Sequence, residues 1–178
     1  MKVRELDFGL AAIVIGLALA SPAAAQEPAI WRVYPVEGGG GSIAALAASE
    51  VDSPEPYWQF AMTCISGEPW RATVSGVDAA ALGGAIAAGV AVQVSVIADG
   101  DPNKVPLSGY SPEINFGEMF GEWEYSFPFD LITLDDLGAA GSLAVTGTGV
   151  EFALPTDGTG KAFAAFKALC AALPPPGG

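Results

Sequence analysis

Two cysteines, Cys64 and Cys170, constrain what this chain can fold into more than any other feature, because each lies on the apolar face of a different predicted element. Trp58, Phe60, Met62 and Cys64 alternate with Gln59, Ala61 and Thr63, the pattern of a strand with one buried face, so Cys64 points inward. Near the other end, Phe163, Phe166, Leu169, Cys170 and Leu173 follow helical spacing and place Cys170 on the same buried stripe as the two phenylalanines. If the sulfurs are joined, that strand and the last helix share one core. A bridge closing so long a loop contributes about 4–5 kcal/mol in the chain-entropy picture. The alternative is a free reactive thiol, but the chain has no histidine to activate one and no C-x-x-C spacing.

An even cysteine pair is read as a disulfide in an oxidising compartment, and the N-terminus points to one. Lys2 and Arg4 precede an apolar run over residues 8–20, followed by Ser21-Pro22 and Ala23-Ala24-Ala25. This is the pattern of a secretory signal peptide over 1–25 with an A-x-A cleavage site, and the mature chain is expected to begin at Gln26. The run falls short of the roughly 20 residues a membrane span needs, so no span is expected in the mature chain. No cysteine lies near the cleavage site, so a lipid anchor is not indicated. Residues 26–173 are expected to form a single globular domain, and 174–178 a Pro/Gly tail.

Charge narrows the partners. The charged residues of the leader cancel, so the net charge of −13 belongs to the remainder, where Arg32, Arg71, Lys104, Lys161 and Lys167 are the only basic residues. Such a surface repels nucleic acid and anionic lipid and favours a cationic protein as partner. The plainer alternative is that the charge only keeps an apolar secreted chain in solution.

Strands are expected over 30–36, 57–66, 70–75, 90–96 and 122–130, and as a hairpin over 143–145 and 150–154. Gly38-Gly39-Gly40-Gly41 reads as a flexible loop, and 42–48 is ambiguous between strand and helix. Asp78 can cap a short helix over 79–88, and Asp99-Gly100 signals a hairpin turn returning over 105–110. Residues 111–119 are poorly determined. Pro128 places its strand at a sheet edge or marks the strand's end. Asp135-Asp136 can open one helical turn, and Asp157 or Thr159 can cap the last helix. The fold class is mainly β (α+β): an antiparallel β-sandwich or open barrel with a C-terminal helix packed on the sheet.

Without histidine there is no Ser-His-Asp triad and no His-ligated metal site, and no catalytic constellation or cofactor is expected. Glu118, Glu122 and Glu124 lie beside aromatics and offer the paired carboxylates a glycosidase needs, although a solvated polar strand face gives the same pattern. Asp99, Asp101 and Asn103 have the D-x-D-x-N spacing that begins a calcium loop. Lys104 and Tyr110 occupy the positions where an EF-hand needs glycine and glutamate, so a polar turn is the better reading. Trp123, Tyr125, Phe127 and Phe129 fall on one face of their strand. They are either core or a face that stacks on a glycan or grips an apolar partner. Trp31, Trp58 and Trp70 are expected to pack.

The leader, the strand ending Met62-Thr63-Cys64, and the stretch from Phe152-Ala153-Leu154 to Phe163, Phe166 and Cys170 resemble small secreted proteins of Gram-negative bacteria. That resemblance implies a periplasmic or secreted domain and transfers no functional residue. The expected function is a non-enzymatic envelope module for interaction or binding. The alternatives are a carbohydrate-active enzyme using the carboxylates near 118–124, and an inhibitor or scavenger of a cationic protein.

Overall fold

The computed structural model describes residues 29–37, 39–105, 107, 109–117 and 121–173. The leader, Glu118 and the tail at 174–178 lie outside the described residues. Apolar alternation produces nine strands within them: β1 (Ala29–Pro35), β2 (Gly40–Ala47), β3 (Trp58–Ile65), β4 (Arg71–Val77), β5 (Val94–Ala98), β6 (Glu113–Gly117), β7 (Glu122–Pro128), β8 (Leu143–Gly147) and β9 (Val150–Leu154). Three α-helices, α1 (Ala79–Ala87), α2 (Leu131–Ala139) and α3 (Thr159–Ala171), and a short 3-10 turn over Ala48–Glu50 complete the order. Strands β1-β2-β3-β4-β7-β6 form one sheet and β5-β8-β9 a second, every pair antiparallel. Neither sheet closes on itself, α3 packs against β1 and β2, and α2 packs on α3. This is the mainly antiparallel β architecture with a C-terminal helix on the sheet that the sequence predicts.

The core unites the two sheets with α2 and α3. Phe60, Met62 and Cys64 of β3 meet Phe163, Phe166 and Cys170 of α3 in one buried cluster. Each buried phenylalanine contributes about 2–3 kcal/mol by leaving water. Cys64 and Cys170 form the expected disulfide, their Cα atoms 5.7 Å apart across 106 residues of sequence. Trp31 of β1 adds a second tie between sheet and helix. Its indole N–H donates to the Pro155 carbonyl (2.8 Å) and to the Thr159 hydroxyl (3.0 Å). Its ring meets those of Phe60 and Phe163 edge-on.

Several elements differ from expectation for identifiable reasons. The run at 38–41 is not simply a loop, because Gly40 and Gly41 open β2. Gly40 has φ +103°, and a Cβ there would fall 2.1 Å from the Cys64 carbonyl oxygen. At Gly41 it would fall 2.6 Å from Leu169 Cδ1, so the glycines let α3 approach the sheet. Strand β5 starts at Val94 rather than at Val90, whose amide still donates to the Ala85 carbonyl at the end of α1. Among the described residues, the return after Asp99-Gly100 meets β5 through the bridges Ala98↔Asp101 and Val94↔Tyr110 and through the Val96 amide, which donates to the Leu107 carbonyl. Helix α2 begins earlier than Asp135, because the Asp130 carboxylate accepts the Thr133 amide and caps it. Gly158, rather than Asp157 or Thr159, is the N-cap of α3, which leaves the Thr159 hydroxyl to receive Trp31. Pro128 marks a strand end, since β7 lies between β4 and β6.

Candidate functional site

The aromatic row on β7 divides. Tyr125, Phe127 and Phe129 are buried, while Trp123 is 37% exposed. The division follows the extent of the second layer. The Tyr125 hydroxyl donates to the Thr148 carbonyl (2.6 Å) at the turn between β8 and β9. Phe127 stacks on Tyr110, and Phe129 lies between Trp70 and Phe166. Trp123 lies two residues beyond Tyr125 in the other direction, past this cover. Three rings of the row are therefore core, and one is available at the surface.

What joins Trp123 there is β6, in the stretch whose structure the sequence leaves undetermined. Register pairs Phe116 with Trp123 and Ile114 with Tyr125, so these four side chains share one face of the hairpin. Phe116 is 52% exposed and Ile114 37% exposed, and the Phe116 ring meets Trp123 edge-on at 5.4 Å. Glu113–Gly117 is the last strand of its sheet, and none of the described strands pairs with its far side. An edge strand presents a row of N–H and C=O groups there, open to pairing with another chain. Exposed rings on an open edge are costly to leave uncovered and mark a contact surface. The short alternation Glu113-Ile114-Asn115-Phe116 is the sequence signal for this strand, spread over too few residues to stand out.

The opposite face of the hairpin is polar. Glu122 Oε2 accepts the Tyr57 hydroxyl (2.9 Å), and Glu124 Oε1 accepts the Ser75 hydroxyl (2.9 Å). Gly117 leaves room for Glu124, since a Cβ there would fall 2.5 Å from Oε1. Arg71 binds Glu113 through two hydrogen bonds of 2.6 and 3.1 Å, an exposed pair contributing less than about 1 kcal/mol. The Tyr57 phenol is pushed up to about 12, first by burial, then by its hydrogen bond to Glu122 and the charges of Glu122 and Glu124. A phenol held neutral in this way serves as a hydrogen-bond donor, not as a nucleophile.

Glu122 and Glu124 thus come together on one face, with Trp123 and Phe116 on the other. A sugar ring stacked on Trp123 does not lie between those two carboxylates. The Asp99 turn is also committed internally. Asp99 Oδ1 accepts the Gly141 and Ser142 amides (2.8 Å each), and Oδ2 binds the Lys104 ammonium. These contacts hold the Asp99 carboxyl below its ordinary value, with the Lys104 hydrogen bond the largest cause. Among the described residues, no helix is long and apolar enough to cross a membrane. No family model matches the chain, and no curated protein or solved structure matches it.

Proposed function

We propose that this protein is an exported, non-enzymatic interaction module of the bacterial envelope that engages a partner through the β6–β7 hairpin. The observation that carries the reading is the open edge of β6 bearing Ile114 and Phe116, with Trp123 beside them. Phe116 and Trp123 are the most exposed aromatics among the described residues, and rings left at an uncovered strand form a surface suited to association. Export is supported by the leader at 1–25 and by the disulfide, which persists in oxidising compartments. The resemblance to small secreted proteins of Gram-negative bacteria agrees with a periplasmic or secreted location.

A carbohydrate-active enzyme is supported less well, because the exposed rings and the carboxylates at 122 and 124 stand on opposite faces. Photo-crosslinking in the cells that make the protein tests the main reading. A crosslinker at position 116 should join one defined partner, and one at Ile132, which is exposed on α2, should not. Equal labelling from both positions, or none from position 116, overturns the docking assignment. Recovery of protein beginning at Gln26 from the envelope fraction tests export separately.

A further inference from the structure

We infer that the open edge of β6 takes, by strand addition, an extended cationic segment of a partner protein in which apolar and basic residues alternate. The inference rests on the hairpin being the docking surface and names what docks there. Three observations select this occupant.

The first is the backbone. In an antiparallel sheet, every other residue of an edge strand turns its N–H and C=O outward. Strand β6 ends its sheet, and alternate residues among its five offer those groups to an incoming extended chain. Main-chain hydrogen bonds supply affinity in this mode, and alternate side chains supply selectivity.

The second is the division of side chains. An added strand would place alternate residues beside Ile114 and Phe116, with Trp123 extending that apolar surface. The residues between them would stand beside Glu113 and Asn115, with the Glu124 carboxylate leaning over Gly117. A segment matching both faces alternates apolar and basic residues.

The third is charge. The polar face carries Glu113, Glu122 and Glu124 against Arg71, and β6 itself contains no basic residue. The upward displacement of the Tyr57 phenol registers part of this negative field. A second copy of the chain carries the same net charge of −13, so self-pairing is opposed and a cationic segment is drawn in.

The test uses the full secreted chain and synthetic nonapeptides. The probe alternates lysine and valine; the controls are a glutamate–valine alternation and a block peptide with the composition of the probe. Amide shifts in the protein report the site of binding, and calorimetry reports its strength. The probe is expected to shift residues 113–117 and to bind about tenfold more tightly than either control. Raising the salt from about 50 to 500 mM should weaken it about tenfold. Methylating alternate peptide nitrogens should abolish binding in one frame and spare it in the other, and Phe116→Ser should weaken it about tenfold.

Equal tolerance of both methylation frames, or shifts spread over the acidic surface, overturns strand addition. Salt-independent binding of the glutamate control at 113–117 overturns the cationic assignment. Concentration-dependent dimerisation through 113–117 without peptide makes a second copy the occupant; it overturns this inference while leaving the hairpin as an interface. Crosslinking at position 116 with no peptide effect at 113–117 likewise separates the two readings.

Discussion

At one edge of the six-stranded sheet, β1 is tied to the rest of the molecule. Trp31 reaches across the core to the Pro155 carbonyl and the Thr159 hydroxyl, α3 packs over β1 and β2, and the Cys64–Cys170 bond secures that helix to β3. Strand β1 also carries Arg32 in its middle and Pro35 at its end, a charge and a missing amide that discourage strand addition. At the other edge, β6 has no proline, and neither the Trp31 hydrogen bonds nor the disulfide reaches it. Its one charge, Glu113, is matched by Arg71, and its apolar residues face solvent. The contrast separates two demands on one sheet: the β1 side holds the fold together, and the β6 side is left open for another chain.

Damage to the two sides is therefore expected to have very different consequences. The largest effect is expected from Cys64→Ala with Cys170→Ala, which should lower unfolding free energy by about 4 kcal/mol in denaturant titration. Gly40→Ala should follow at about 3 kcal/mol, because the added methyl meets the Cys64 carbonyl and the backbone sits at positive φ. Trp31→Phe keeps much of the ring packing but loses both indole hydrogen bonds, for about 1–2 kcal/mol by the same measurement.

On the open side, Phe116→Ser should change stability by less than about 0.5 kcal/mol, since the ring lies mostly outside the core. A loss as large as that of Trp31→Phe would show that β6 supports the fold and would erase the distinction between the edges. A subtler test uses pH. Tyr57 binds its proton more tightly folded than unfolded, so its contribution is complete below the ordinary value of 10 and is lost as pH rises through about 12. Spectrophotometric titration should show Tyr57 ionising late, and Tyr57→Phe should flatten the alkaline part of the stability curve. An unchanged profile in Tyr57→Phe would show that neither burial nor the contact with Glu122 raises the phenol in the folded state.

Much of the fold is legible in the chain because strand alternation and helix spacing are local. The period-two run through Phe60, Met62 and Cys64 and the stripe of Phe163, Phe166 and Cys170 each declare an inward face within ten residues or so. The candidate site is less legible. Trp123, Tyr125, Phe127 and Phe129 are equivalent as a pattern, and nothing within the strand says that cover stops at Thr148. Strand β6 is hidden for a related reason: five residues define a strand weakly until β7 pairs with them.

The sequence by itself determined the mainly β composition, the inward direction of both cysteines, the Asp78 cap and the acidity. Each depends on near neighbours or on a simple sum of charges. Only the tertiary structure decided that Gly40 and Gly41 admit α3, that β7 is internal, and that Trp123 emerges where its three companions are buried. Those outcomes depend on which distant segment lies overhead, and burial is a property of the assembled layers rather than of any stretch of chain.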